Sequence, residues 1–392
     1  MARESVKRKR LSPASRCGTV PLYAYTRMSE CYDLVVIGAG PAGCSAALEA
    51  ATLGLGSVLL LEKERLPRDK PCAGGLSPQS RRVLKRYGLW KAVVQAGYPI
   101  HGARLRTPSG RDIILRGGNR TAVVRRSRLD TILVQAAAAA GAVVRPGCPA
   151  EGLIGERGRV VGVHAGGAEL KAGCVLVANG SLSRFHRHNP PRHRWLACLG
   201  RYESVPFRPH TIELVFSREL FPRYGWLFPE SPQQVNIGLC LEREWLHGRR
   251  IQELFAEFLQ RSFAARLAGA RPAGELQVHA ILPSDRIEHR NLPGTLLAGD
   301  AARLVNLFTG EGISYALRSG RLAARALAAG WRRGWSEARI AACYRASLRR
   351  LLEPSLRIGG WVCGGGRGVL HLGSRLAGLS LGRRIIYRAL AR

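Results

Sequence analysis

The sequence predicts an α/β chain in which a parallel sheet is interleaved with an antiparallel sheet and followed by a helical C-terminal region. Three observations carry this prediction. A strand, glycine turn, helix and strand succeed one another between Asp33 and Glu62. Short alternating strands separated by turns fill Trp195 to Glu242, and the last sixty residues mix Arg with Leu, Ile and Trp, ending in LGRRIIYRALAR at helical spacing.

The first stretch reads DLVVIGAGPAGCSAALEAATLGLGSVLLLE. Leu34 to Ile37 form a short apolar run suited to a buried parallel strand. An Ala-rich helix begins near Ala42, and a second apolar strand covers Val58 to Leu61. Three glycines punctuate the turn, each with a separate physical task. Gly38 permits the tight turn, Gly40 keeps a Cβ out of the path of an approaching pyrophosphate, and Gly43 lets the helix pack closely on the strand. The helix N-terminus offers free amides and a positive dipole end to phosphates. Glu62 follows the last glycine by about twenty residues, where an acid accepts hydrogen bonds from a ribose diol. Together these predict a Rossmann-like dinucleotide site.

After Glu62, Pro67, Pro71, Pro78, Gly74 and Gly75 exclude regular structure up to Ser77, where a helix starts. This loop carries Cys72 and springs from the ligand side of the sheet; an ordinary buried loop cysteine is the alternative reading. HGARLRTPSGRDIILR reads as a hairpin turning at Pro108-Ser109-Gly110. Arg126 and Asp130 open a helical pattern ending at Gly141, followed by strands at Val143 to Arg145, Val160 to Val163 and Cys174 to Ala178. The last of these brings Asn179 and Gly180 to the ligand edge. The strand-rich segment then predicts an inserted antiparallel sheet with a polar turn at Glu230 to Gln234, and a helix follows over Arg250 to Leu267. Thr295 to Ala298 form another strand, Gly299 turns, and Asp300 projects a carboxylate. Gly310 and Gly312 then precede a long amphipathic helix whose N-terminal amides suit developing negative charge.

The expected division is a basic disordered extension at 1–28 and a nucleotide-binding domain from 29–97, 118–185 and 276–330. A substrate domain takes 98–117 and 186–275, and a helical region takes 331–392.

Composition narrows the remaining classes. The chain has 392 residues, 46% of them hydrophobic, enough for a sizeable core. Its net charge of +34 attracts anions in general, but no basic run interleaves with aromatics, so specific nucleic-acid binding is not expected. Ten cysteines without a CxxC pair argue against a disulfide framework and a zinc site, and they fit a reducing cytoplasm. HRHNPPRH, at 186–193, has no carboxylate or cysteine close in sequence and is not read as a metal site. No uncharged apolar run is long enough for a membrane span, whereas the terminal LGRRIIYRALAR has a basic helical face suited either to packing or to a membrane surface. Residues 1–27 lack the apolar core of a signal peptide, and Met28 falls where a normal start would.

With these residues assembled, the chain resembles the geranylgeranyl reductase family of flavoproteins, whose fold is similar to that of p-hydroxybenzoate hydroxylase. Four blocks carry the likeness: VIGAGPAG, DKPCAGGLSP, YGWLFP and LLAGDAARLVNLFTGEGISYALRSGRLAA. The resemblance implies FAD, held by Gly38, Gly40, Pro41, Ala42, Gly43, Glu62, Lys63, Arg126, Asp300, Gly310, Gly312 and Ile313. It also implies Cys72 near the isoalloxazine, with Gly74, Gly75, Tyr224, Trp226 and Phe228 along an isoprenoid tunnel. Aromatic walls suit a polyprene, which offers only apolar area and π faces. Asn179 stands where related hydroxylases usually carry aspartate, Leu307 replaces the usual proline, Arg303 a small residue, and Cys240 a glycine.

The expected reaction is hydride delivery from reduced FAD to one alkene carbon and a proton to its neighbour, with Cys72 the first candidate for proton donor or alkene-positioning group. NADPH or reduced ferredoxin would supply electrons, since the only full dinucleotide fingerprint is taken. A monomer in the cytoplasm, peripheral to the inner face of the membrane, is expected. Two rival readings remain: a monooxygenase or halogenase of the same fold, although the halogenase signature GWxWxIP is absent, and a non-catalytic flavin-bearing protein that docks on membranes or polyanions.

Overall fold

The computed structural model describes residues 30–185, 190–288 and 290–365; the basic N-terminal extension and LGRRIIYRALAR lie outside them. β1 (Glu30–Ile37), α1 (Pro41–Thr52) and β2 (Val58–Leu61) form the expected βαβ unit, with Leu34 to Ile37 paired in parallel to Val58 to Leu61. Both apolar runs are fully buried, and each such Leu or Val contributes roughly 1.5–3 kcal/mol. Pro41 occupies the first turn of α1, where its missing N–H costs nothing.

After the Cys72 loop come α2 (Pro78–Arg86) and α3 (Trp90–Gln95), then the hairpin β3 (Tyr98–Arg106) and β4 (Asp112–Val123). The Ser77 hydroxyl caps α2 by accepting the Ser80 N–H at 3.2 Å. The chain returns to the first sheet through α4 (Arg126–Ala139), β5 (Val143–Arg145), β6 (Ala150–Glu156), β7 (Arg159–Ala165) and β8 (Ala168–Val177). It then builds β9 (Trp195–Glu203), β10 (Thr211–Val215), β11 (Gly225–Pro229), β12 (Gln234–Glu242), α5 (Ile251–Leu267), β13 (Arg271–Pro272) and β14 (Gln277–Ile281). β15 (Thr295–Leu297), α6 (Ile313–Arg332), α7 (Glu337–Leu351) and α8 (Glu353–Gly364) complete it.

The first sheet runs β5-β2-β1-β8-β7-β6, with β15 added on β8. Its nucleotide half is parallel, whereas β6, β7 and β8 form an antiparallel meander. The second sheet runs β13-β9-β12-β11-β10-β3-β4, with β14 on β9. It is mixed rather than purely antiparallel, because β3 and β10 pair in parallel.

Its limits also differ from those read in the sequence. The β3/β4 ladder continues to Val123, and β14 hydrogen-bonds β9, so the second sheet ends at 123 and takes in 277–281 instead of stopping at 117 and 275. Strand membership is set by distant partners, which local patterning does not reveal. Behind the first sheet α1 and α6 cross closely: a Cβ at Gly320 would lie 2.0 Å from the Ala42 carbonyl oxygen.

Candidate functional site

The C-terminal ends of β1, β2, β8 and β15 converge on one edge, the usual ligand side of an open parallel sheet. Gly38 turns there with φ +102°, and a Cβ on it would meet the Ala178 oxygen at 2.7 Å. At Gly43 a Cβ would sit 1.9 Å from the Gly38 oxygen, so α1 rests on the turn only because both residues are glycine. Gly40 differs. A Cβ there would point toward the guanidinium tips of Arg126 and Arg68 at 3.6 and 4.0 Å, with no backbone in its way.

Those two arginines belong to a nearly dry ionic chain. Glu62 Oε2, at the tip of β2, accepts the Ala39 N–H and an Arg68 N–H, each at 3.0 Å. Arg68 continues to Asp130 at 3.0 Å, and Asp130 takes a bidentate pair from Arg126 at 2.7 and 2.8 Å. Burial works to lower the Arg126 pKa; the Asp130 carboxylate outweighs it and raises the pKa above the ordinary guanidinium value. The glycine turn therefore faces two fixed cations whose countercharges lie behind them.

Asp300 follows β15 and faces Lys70 at 3.8 Å. Burial lowers the Lys70 pKa against the pull of Asp300. Burial, followed by the Lys70 charge, also pushes His279 on β14 down to about 4, which leaves a neutral imidazole whose Nε2 makes no hydrogen bond. Below Asp300, Gly310 turns at φ +64° against the Tyr224 hydroxyl, and Gly312 caps α6.

The opposite wall is aromatic. Tyr224, Trp226 and Phe228 alternate along and beside β11, so they share one face, with ring centroids 6.4 Å apart at each step. Phe216 extends the row at 5.5 Å from Tyr224, and Phe308 lies 6.4 Å from Phe216. The Trp226 indole covers Gly238, and its Nε1 donates to the buried Asn236 Oδ1 at 2.8 Å. Asn236 Nδ2 reaches the Cys72 carbonyl at 3.5 Å, tying the aromatic wall to the loop. Tyr224 donates its hydroxyl proton to the Thr309 carbonyl. One cavity of about 1740 Å³ joins the glycine turn, the Cys72 loop and this wall, beyond the roughly 300–1,000 Å³ of a single small-ligand site.

An FAD binding domain model matches residues 31–185. Digeranylgeranylglycerophospholipid reductase 1 of Methanopyrus kandleri is 32% identical over 307 residues, covering 74% of this chain and 79% of that protein. Digeranylgeranylglycerophospholipid reductase 2 of Methanothermobacter thermautotrophicus is 32% identical over 343 residues, 83% of this chain and 86% of that one. This chain belongs to the geranylgeranyl reductase family. A geranylgeranyl bacteriochlorophyll reductase-like protein of Thermoplasma acidophilum superimposes with TM-score 0.76 at 26% identity, covering 84% of this chain and 87% of the other. The flavin-dependent brominase Bmp2 superimposes at 0.79 with 22% identity, over 92% and 93% of the two chains, and shares the fold.

As a geranylgeranyl reductase family flavoprotein, the chain brings most sequence-predicted residues to this cavity. Gly38, Gly40, Pro41, Ala42, Glu62, Lys63, Cys72, Gly74, Gly75, Arg126, Tyr224, Trp226, Phe228, Asp300, Gly310, Gly312 and Ile313 all line it, while Gly43 lies behind the turn. The Lys63 ammonium is exposed and pairs with Glu64 at 3.3 Å. Gly74 has φ +73° and Gly75 packs under Phe228. Sequence reading missed Arg68, Lys70, His279 and Glu311. Lys70 lies two residues before Cys72 and Glu311 between Gly310 and the α6 cap Gly312, so both had a local signal; His279 had none. His193, read as lacking a nearby carboxylate, bonds Glu242 Oε1 at 3.2 Å across 49 residues of sequence. Among the described residues no helix is long and apolar enough to cross a membrane.

Proposed function

We propose that this FAD-dependent oxidoreductase saturates carbon–carbon double bonds of a geranylgeranyl-type chain carried on a lipid. The observation that supports this most is the single cavity running from the glycine turn to the aromatic wall, with room for a dinucleotide and an oily chain together. The substrate class is that in the names of these relatives.

In this reading, the α1 amides and the Arg68 and Arg126 guanidinium groups hold the pyrophosphate, and Glu62 meets the adenosine ribose. Asp300 would take ribityl hydroxyls, and the amides at Gly312 and Ile313 would offer donors to negative charge on the reduced ring. Bound FAD supplies the hydride chemistry. The chain's own residues hold the alkene still and dry: Tyr224, Trp226 and Phe228 form a rigid floor, and Phe216 and Phe308 close one side. Cys72 sits where the loop meets that floor.

Electrons come from NADPH or reduced ferredoxin. The lipid enters past α8, where Ile358 and Trp361 line the cavity and are 55% and 69% exposed, and the basic surface favours an anionic bilayer. The test is anaerobic: dithionite-reduced protein is mixed with digeranylgeranyl lipid, and flavin absorbance and lipid mass are followed. Flavin reoxidation with two hydrogens gained per double bond is expected. A flavin that reoxidises only when oxygen is admitted would refute the reading and favour a monooxygenase or halogenase.

A further inference from the structure

Glu311 is a carboxyl group with no evident reason to be where it is. It lies between Gly310 and the α6 cap Gly312 and lines the same cavity as Cys72 and Tyr224. Its Oε1 is shut off from solvent and has no well-aligned hydrogen bond, nor has the Ser314 hydroxyl, although the Ser314 and Ser77 hydroxyls both lie near enough to act on the carboxyl. The groups that act on it are few. Ser314 and Arg318 come from its own helix, Ser77 from the cap of α2, and Tyr315 and Tyr224 from either side. Arg318 is the one cation among them, and its Nη2 donates to the Leu351 carbonyl at 2.6 Å.

Burying a carboxyl group away from a salt-bridged cation penalises its charged form and favours the protonated one. Burial raises the Glu311 pKa, against the smaller opposing pull of Ser314, Ser77 and Arg318. Three other titratable groups that line the cavity are less suited to give up a proton. Tyr224 spends its hydrogen on the Thr309 carbonyl, His279 is neutral down to about pH 4, and Asp300 faces Lys70.

We infer that Glu311 is the acid of this site, holding the proton that goes to the alkene carbon next to the one receiving hydride. The inference rests on the alkene reduction proposed above. In the step, the π bond opens as one carbon takes hydride from the reduced flavin. The Glu311 O–H bond breaks and a C–H bond forms at the neighbouring carbon. The flavin is left oxidised, the alkene reduced by two electrons, and Glu311 ionised; solvent returns its proton when product leaves.

The experiment compares wild-type holoprotein with Glu311→Gln and Glu311→Asp, each checked for bound FAD by its absorbance. After dithionite reduction, anaerobic reoxidation by digeranylgeranylglyceryl phosphate in detergent micelles is timed across pH. General acids contribute about 10²–10⁴-fold, so E311Q should slow by that factor and lack the decline at high pH expected of wild type, with E311D recovering part of the rate. Infrared difference spectra of the oxidised holoproteins give a second reading that needs no turnover. A protonated carboxyl C=O stretch present at neutral pH in wild type should be missing from E311Q. Wild-type reoxidation rates in E311Q, or no carboxyl band that the substitution removes, overturn the inference. A wild-type protein inert to the lipid but carrying the band would instead sink the alkene reading, and if E311Q fails to hold FAD, E311D and the wild-type band decide.

Discussion

The two glycines of the nucleotide turn make opposite demands, and alanine at each separates folding from cofactor binding. At Gly40 the backbone has φ −81°, ordinary for any residue, and the nearest atoms to an added Cβ are the ends of two arginines at 3.6 and 4.0 Å. Gly40→Ala should therefore fold as well as wild type, or better by about 0.4–1 kcal/mol because the unfolded chain has less freedom to lose. The new methyl occupies the space in which a phosphate oxygen would meet the helix amides. Losing one charge-assisted hydrogen bond, about 1.5–3 kcal/mol, weakens FAD roughly 10- to 150-fold.

At Gly43 the same methyl lies 1.9 Å from the Gly38 oxygen and 3.1 Å from Val36 Cγ1. Neither neighbour yields easily, since one is backbone and the other is a fully buried side chain, so α1 must lift off the sheet at about 1–3 kcal/mol or more. Thermal unfolding of the FAD-free variants reads the first difference, and quenching of flavin fluorescence on titration reads the second. G43A should lose several degrees in Tm, whereas G40A should lose affinity and no stability. Two variants with the same Tm, or a G40A that binds FAD like wild type, would refute the reasoning.

Other expectations follow from the buried polar pairs. Trp226→Phe keeps a ring over Gly238 but leaves the fully buried Asn236 Oδ1 without the indole N–H, so urea denaturation should show a loss of about 1–3 kcal/mol. Glu62→Gln leaves Arg68 and Arg126 to share Asp130 alone. It should destabilise by about 3 kcal/mol and weaken FAD, measured by the same unfolding and fluorescence assays. His279 gives a pH signature. Its pKa is 6.5 when unfolded and about 4 when folded, so between these values the unfolded chain binds more protons and stability falls as pH falls. The ceiling is ~3 kcal/mol across that window, lowered by partial solvent access, and His279→Gln should remove that part of the slope in denaturation midpoints taken from neutral to about pH 4.

The βαβ unit and its three glycine tasks were readable because they are local. An apolar run, a φ requirement and a helix start lie within a few residues, and at Gly38 and Gly43 the surrounding backbone leaves no room for a Cβ. The aromatic row was readable for a similar reason: residues two apart on a strand share a face.

Long-range partners were not readable. Arg68 joins Glu62 to an Asp130 on another element, and β14 enters the second sheet by pairing with β9 far upstream, carrying His279 to the nucleotide edge. Glu311 was in plain view between two glycines, yet nothing in its neighbours foretold a carboxyl oxygen sealed away without a well-aligned hydrogen bond.

Sequence alone thus determined where the chain turns, which strands are buried and what kind of ligand the first turn accepts, since backbone sterics and hydrophobic period act over a few residues. Tertiary structure decided which charges face the ligand, which are neutralised and which stay protonated. Those properties depend on burial and on neighbours that the fold brings together from distant parts of the chain.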